Sequence, residues 1–274
     1  MEFKKIELNN GTLMPQLGLG TWQLNSSECI HSVKRALELG YTHIDTAEMY
    51  MNEEEIGVAI KNSAREKLFI TSKVWQKDLT YERVLKACEI SLTKLGTEYL
   101  DLYLIHWPDK YMDLRDVLKA FKKLYDEKKI RAFGVSNFTI NHLKDALKVT
   151  NELNLPISVN QVEFHPYLYQ KELLNFCKEH NIILTAYSPL IKGKIVSDET
   201  INKIANKHEK TPGQVTLQWM IQKSIVVIPK ASSENHLKEN INLNFSLDEE
   251  DIMKIDNINK KERLINPGFG EFDY

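Results

Sequence analysis

What this sequence lacks narrows its reading first. Three cysteines, Cys29, Cys88 and Cys177, are too few to build a disulfide framework. Cys88 falls within a helical apolar pattern and reads as a small buried residue rather than a nucleophile. Cysteine this sparse suits a reducing compartment, and a cytoplasmic location is expected. The most apolar runs, such as Ile225–Ile228, end far short of the ~18 residues that a membrane-spanning helix needs. The opening MEFKKIELNNG carries basic residues with no apolar stretch behind them, so it does not read as a secretory signal. Eleven glycines and eight prolines in 274 residues exclude a collagen-like or low-complexity chain. A net charge of −2 leaves no whole-molecule field to attract nucleic acid or an anionic membrane. A local anion site, which needs only one lysine and some well-placed amides, is not excluded by it.

What is present is ordinary globular material, 42% hydrophobic and 27% charged. At about 150 residues per domain the length suggests two, yet single α/β barrels reach about 250. Lys4–Leu8 and Thr12–Met14 flank Asn9-Asn10-Gly11, a hairpin signal in which Asn-Gly accommodates positive φ. This hairpin is expected to precede the main fold. Eight β-rich runs follow: Leu17–Gly20, Thr42–Thr46, Leu68–Lys73, Leu100–Ile105, Arg131–Val135, Ser158–Val162, Ile182–Ala186 and Ile225–Ile228, with starts 24 to 43 residues apart. Helical stripes lie between them. One runs Ile30, Val33, Leu37 and Leu39 to a stop at Gly40, another Val84, Leu85, Cys88, Leu92 and Leu95 to a stop at Gly96. Leu114, Leu118, Phe121, Leu124 and Tyr125 form a third, and Leu173, Leu174 and Cys177 a fourth.

Continuously apolar strands alternating with helices imply parallel pairing. Eight such units without a linker favour a closed (β/α)8 TIM barrel over an open doubly wound sheet. The nearest approach to a dinucleotide loop, Leu17-Gly18-Leu19-Gly20-Thr21-Trp22, lacks the third glycine and opens no helix. The expected organisation is one barrel domain over residues 1–274, with the hairpin at about 4–14 and a helix and tail at about 246–274. The longest interval holds two helical stretches, Ile201–Lys207 and one from Pro212 to Ile221. Ser246–Glu249 reads as a capping box before a helix at Glu250–Ile258, and the glycine- and aromatic-rich Asn266–Tyr274 as a packed tail.

Barrel chemistry collects at the carboxyl ends of the strands. There the second run ends in Asp45, with Tyr50 close behind; the third ends at Lys73; the fourth ends in His106-Trp107; and the sixth carries Asn160, Gln161 and Glu163, with His165 beyond. Three chemistries suit such a set. A metal centre would have only Glu163 and His165 as a close pair. A Schiff-base aldolase would use Lys73 as a desolvated amine. In a third, Tyr50 is the proton donor, its phenolate stabilised by Lys73, with Asp45 holding the lysine and His106 orienting a substrate oxygen.

Longer strings carry a resemblance. Gly40-Tyr41-Thr42-His43-Ile44-Asp45-Thr46-Ala47 with Tyr50, Asn52 and Glu53 resembles the signature of the aldo-keto reductase family. So do Leu100–Pro108, Gly134-Val135-Ser136-Asn137-Phe138, Gln161–Pro166, Ala186-Tyr187-Ser188-Pro189-Leu190 and Ile228-Pro229-Lys230, in order, over about Gly11 to Pro267. Within the family the chain looks like the bacterial diketogluconate, glyoxal and aldehyde reductases. The resemblance implies a monomeric or weakly dimeric barrel that reduces a small-molecule carbonyl substrate with NADPH, and a catalytic tetrad of Asp45, Tyr50, Lys73 and His106. It also implies cofactor contacts. Thr21, Trp22 and Tyr187 would lie at the nicotinamide, with Ser136, Asn137 and Gln161 on its carboxamide. Ser188 and Leu190 would lie near the pyrophosphate, Lys230 at the ribose phosphate, and Glu239 and Asn240 near adenine.

Two positions depart from the family pattern. The serine after the lysine is Ala231, and the arginine six residues beyond it is His236, so a hydroxyl and a bidentate cation are replaced. Ser232 or Ser233 is the candidate to compensate, and the expected preference for NADPH over NADH is reduced. Trp22, Trp75, Trp107 and Phe138, with His106, are the expected substrate wall. The competing functions are the aldolase on Lys73 and a non-catalytic nucleotide-binding regulatory subunit.

Overall fold

The computed structural model describes residues 4–274. Two short strands, β1 (Lys5–Glu7) and β2 (Leu13–Pro15), pair antiparallel, Ile6 opposite Met14. Of the residues in the Asn9-Asn10-Gly11 turn, only Gly11 takes positive φ, at 83°. Neither asparagine does so; the Gly11 amide instead bonds Leu8 O at 2.9 Å, and Leu8 N bonds Thr12 O at 2.9 Å. The asparagine side chains are engaged elsewhere, Asn9 on Ile157 O and Asn10 on Arg131 O, both at 2.9 Å. The hairpin is thus fastened across the amino end of the barrel, where Leu8 and Met14 plug the lumen.

Eight parallel strands follow: β3 (Leu19–Gly20), β4 (His43–Asp45), β5 (Phe69–Val74), β6 (Leu100–Ile105), β7 (Ile130–Ser136), β8 (Ile157–Glu163), β9 (Ile183–Tyr187) and β10 (Val226–Val227). Each pairs with the next. Parallel bridges Leu17↔Val227 and Gly20↔Lys230 close the ring. The expected (β/α)8 barrel is therefore the fold. Its seam requires glycine, because a Cβ on Gly20 would stand 2.5 Å from Ile228 O.

The helices α1 (Ser26–Glu38), α2 (Glu53–Ile60), α3 (Tyr81–Leu95), α4 (Leu114–Asp126), α5 (Ile140–Leu153) and α6 (Lys171–Glu179) each follow a strand. Both α7 (Glu199–Lys207) and α8 (Pro212–Gln222) lie between β9 and β10, which accounts for the long interval. Pro212 sits in the first turn of α8, behind a Thr211–Gln214 capping box. After β10 come α9 (Glu234–Ile241) and α10 (Glu249–Asp256). Asp248, not Ser246, caps α10, its carboxylate accepting Asp251 N at 2.9 Å. Leu247 just before it is buried, which puts the chain's entry later than the Ser-x-x-Glu pattern suggests. No helix among the described residues is long and apolar enough to cross a membrane.

Strand alternation decides what faces the lumen. On β6, Leu102 and Leu104 fill it, whereas Tyr103 and Ile105 pack outward against the helices. On β5, Phe69 is a lumen residue, so Thr71 and Lys73 share its inward parity, and Ile70 and Val74 face out. Extending the same count carries Asp45 inward on β4, His106 beyond β6, and Gln161 and Glu163 on β8. The lumen is apolar at its amino end and polar at its carboxyl end.

Candidate active site

Lys73 is fully buried at the carboxyl end of β5, and its ammonium uses all three donors. They reach Asp45 Oδ1 at 2.5 Å, Thr46 O at 2.8 Å and Tyr50 Oη at 3.3 Å. The second Asp45 oxygen accepts Gln161 Nε2 at 2.7 Å. Burial pushes the lysine down and the aspartate up, while each charge opposes the shift of the other. With every donor and both carboxylate oxygens engaged, the pair is held in its charged form.

Tyr50 ends a short 3-10 turn, Glu48–Tyr50, and Met51 behind it adopts a left-handed backbone, φ 57°. That reversal turns the phenol back over Lys73, whose Nζ lies 4.8 Å from the ring centroid. Burial, and then the Asp45 charge, raise the phenol well above its ordinary value, so it rests protonated. His106 stands edge-on to Tyr50, with centroids 5.5 Å apart. Burial, and then the Lys73 charge, press its imidazole well below the usual range, so it is neutral. Its Nδ1 is buried without a partner.

A second network covers the neighbouring strand ends. Ser136 Oγ donates to Gln161 O at 2.8 Å. Asn137, whose left-handed φ of 63° asparagine tolerates, donates to His106 O at 3.0 Å and Ser136 Oγ at 3.1 Å. Tyr187 Oη donates to Asn137 Oδ1 at 2.8 Å. Thr21 Oγ1 donates to Asp45 O at 2.8 Å. Trp22 is 40% exposed, with its ring 4.8 Å from that of Tyr50.

The remaining expected contacts lie farther out. Ser188 has a left-handed backbone, and Leu190 packs on the core. Lys230 is exposed beside the seam and pairs with no carboxylate among the described residues. Ser232 is half-buried and His236 exposed. Ser233 Oγ already caps α9, accepting His236 N at 3.2 Å. Glu239 accepts the Thr211 hydroxyl, and Asn240 is buried and bonded to Tyr41.

The aromatic wall divides. Trp75 stacks edge-on to His106 at 5.1 Å and to Phe269 at 5.7 Å, and Trp107 lies under Phe269 at 5.4 Å. Phe138 is buried at 1% exposure and lines a cavity of about 590 Å³ with Asn137, Tyr169, Arg263 and Phe272. None of the four tetrad residues lines that cavity, so its size does not mark the chemistry.

Two residues carry more of the site's structure than their sequence context signals. Asn52, fully buried, donates to Thr21 O and Leu24 O, both at 2.9 Å, and accepts Thr46 Oγ1 at 2.7 Å, clasping the loops after β3 and β4. Its N-cap-like position before a run of glutamates disguises it. Glu163 reads from the sequence only as a metal ligand beside His165. It accepts His165 Nε2 at 2.8 Å, and also the tail amides of Leu264 at 2.7 Å and Ile265 at 2.8 Å.

An eight-stranded parallel barrel with a buried lysine, aspartate and histidine and a half-buried tyrosine at its carboxyl end defines an enzyme of acid–base type. The family model for the aldo/keto reductases matches residues 16–260. Glyoxal reductase of Bacillus subtilis is 49% identical over 265 residues, covering 94% of each chain. The 9,11-endoperoxide prostaglandin H2 reductase of Trypanosoma cruzi is 46% identical over 94% of this chain and 93% of its own. The crystal structure of an aldo-keto reductase from a Medee basin deep-sea metagenome superposes with a TM-score of 0.92 at 43% identity, covering 98% of this chain and 100% of that one. The chain belongs to the aldo/keto reductase family. It is thereby an oxidoreductase that reduces carbonyl groups with a nicotinamide cofactor.

Proposed function

We propose that this protein reduces aldehydes or small ketones to alcohols with NADPH, accepts NADH as well, and uses Tyr50 as general acid. The observation that carries this reading is the ammonium of Lys73 bonded at once to Asp45 and to the Tyr50 phenol. NADPH, when bound, supplies the hydride for the carbonyl carbon. Tyr50 gives its proton to the carbonyl oxygen as that oxygen gains charge. Lys73 stabilises the phenolate left behind, since a phenol with an ordinary pKa of about 10 is a poor acid at neutral pH without such a cation. Asp45 and Thr46 O hold Lys73 in place, and neutral His106 donates from Nε2 to the same substrate oxygen, selecting productive poses.

The residues present suit a nicotinamide dinucleotide. Tyr187 is held by Asn137 with its ring beside the strand ends. The Gln161 amide nitrogen is bonded to Asp45, leaving Oε1 to accept from a carboxamide. Lys230 and Ser232 precede the first turn of α9, where an anion is favoured, with Ser188 and Leu190 along the way from the nicotinamide. Exposed His236 is a weaker phosphate partner than arginine, so NADPH preference is modest. Trp22, Trp75 and Trp107 form the substrate wall.

Glyoxal and methylglyoxal, the substrates named for the Bacillus subtilis and Escherichia coli relatives, are the first carbonyls to try. We take residues 1–274 as one barrel domain, a monomer or weak dimer of the cytoplasm. Burial pushes the thiols of Cys29, Cys88 and Cys177 up to about 12, which suits unreactive packing residues. A Schiff-base aldolase is disfavoured because the Lys73 amine is already engaged three times. Tyr50→Phe tests the reading. Carbonyl reduction should fall at least ~100-fold with NADPH affinity within about twofold, and a variant reducing at near wild-type rate would remove Tyr50 as the acid.

A further inference from the structure

Asn52 is outside the tetrad, and its place in the chain suggests only a helix cap. It stands just before the first turn of α2, a position that asparagine, aspartate and serine fill about equally well. Yet its side chain makes no capping bond. It is fully buried and turns away from α2. Its amide donates to the carbonyls of Thr21 and Leu24, each at 2.9 Å, and its oxygen accepts the Thr46 hydroxyl at 2.7 Å. Aspartate would cap the helix as well but has no hydrogen for either carbonyl, and serine has only one. This asparagine answers to the site and not to the helix.

Each segment that it ties touches the tetrad. Thr46 O accepts Lys73 Nζ at 2.8 Å. Thr21 donates to Asp45 O twice, from its hydroxyl at 2.8 Å and its amide at 3.1 Å. Between Thr21 and Leu24 stands Trp22, whose ring lies 4.8 Å from that of Tyr50. The turn that carries Tyr50 has no buried residue of its own, and Met51 behind it is 81% exposed. Asn52 is the first buried side chain after the phenol. Of the three Lys73 contacts, the one to Tyr50 Oη is the longest, at 3.3 Å against 2.5 and 2.8 Å. A small drift of Thr46, and of the ammonium with it, breaks that contact first. Asn52 has no charge, so its effect on the acid is one of placement.

We propose that Asn52 is a positioning residue for proton transfer: by tying the Thr21–Leu24 loop to Thr46, it sets the contact between the Lys73 ammonium and the Tyr50 phenol. This inference rests on the proposed carbonyl reduction with Tyr50 as acid. The cation eases proton donation only while it is near, because attraction between charges falls with distance. A loosened contact therefore slows the proton step and leaves the binding of substrate and cofactor in place. The test is Asn52→Ala, assayed by NADPH oxidation with glyoxal in H2O and in D2O, with kcat counted per NADPH-binding site.

The substitution should lower kcat about tenfold and keep the glyoxal KM and the NADPH Kd within about twofold. It should also raise the solvent deuterium isotope effect on kcat, because proton donation becomes the slower step. Thr46→Val removes only the hydroxyl on Asn52 and leaves the Trp22 loop tied. It should move kcat and the isotope effect in the same direction, and it decides the matter if the Ala variant does not fold. A higher glyoxal KM with unchanged kcat and isotope effect would confine Asn52 to holding the Trp22 wall and overturn the proposal. So would a lower melting temperature with wild-type kcat, the mark of a structural support only. Wild-type protein that reduces no carbonyl sinks the functional reading and this inference together. An active reductase whose variants keep the wild-type isotope effect sinks the role of Asn52 alone.

Discussion

The floor of the site and its rim are built in different ways. The floor is Lys73, Asp45, Gln161 and His106, side chains at strand ends whose direction is set by the pleat, with Lys73 and Gln161 each bonded to Asp45. The rim is assembled from late parts of the chain, the tail after α10 and the first turn of α9, and much of it is exposed: Phe269 at 42%, with Lys230 and His236 also open to solvent. A strand end moves only if the sheet moves. A rim element moves when one or two hydrogen bonds are lost. In the proposed reaction, the Lys73–Asp45 pair and His106 that serve the acid are on the floor, where little misplacement is tolerated. The acid itself, Tyr50, reaches over them from the turn behind β4, and the rim residues proposed for the cofactor phosphate sit where they can be altered without touching them.

Substitutions can break this contrast, beginning with the largest expected effect. Lys73→Met leaves Asp45 buried without its cation and should cost about 3–5 kcal/mol of stability, along with carbonyl reduction. Denaturant unfolding checks this, and a loss under about 1 kcal/mol would mean the pair behaves like a surface ion pair. Gly20→Ala forces a methyl against Ile228 O at the seam and should cost about 1–3 kcal/mol by overpacking; an unchanged melting temperature would show that the ring closes loosely there. His236→Arg, on the rim, should leave the melting temperature alone and raise the ratio of NADH to NADPH Kd about tenfold. A titration of both cofactors by tryptophan fluorescence measures it, and an unchanged ratio would place the phosphate elsewhere.

The smallest effect concerns acid. Burial pushes Glu163 upward, but its bonds from His165, Leu264 and Ile265 outweigh that and bring its carboxyl below the ordinary value. A carboxylate with a depressed folded pKa contributes stability that is complete above its unfolded value, about 4.3. That contribution is lost as pH falls through the lower folded value. The tail amides should therefore stay protected from neutrality down to about pH 4.3 and loosen only below it. Loss of protection near pH 6 would contradict the assignment.

Much of the floor is legible in the residues alone. Each of the strands that build it ends where an apolar run meets a polar residue, whereas the inward parity that Lys73 shares with Phe69 on β5 is set by the barrel's packing. The rim is less legible. The capping serine expected at 246 gives way to Asp248, because burying Leu247 selects among adjacent candidate caps and that choice depends on packing. Ser233, a candidate phosphate ligand, is the cap of α9, a role its spacing from His236 allows but does not announce. Glu163 and His165 look like half a metal site because the amides that meet Glu163 belong to a segment with no regular periodicity.

Although it did not mark α2, α5 and α9, local pattern by itself determined the strands, the other helices between them and the polar residues at the strand ends. These depend on alternation and stripes spanning a few residues, which any window of the chain displays. Only the tertiary structure decided that the ring closes at Gly20, that Lys73 meets Asp45 and Tyr50, and that Glu163 receives the amides of a tail about a hundred residues later. Those contacts depend on the barrel's curvature bringing distant strand ends to one face, and no local period encodes which of them meet.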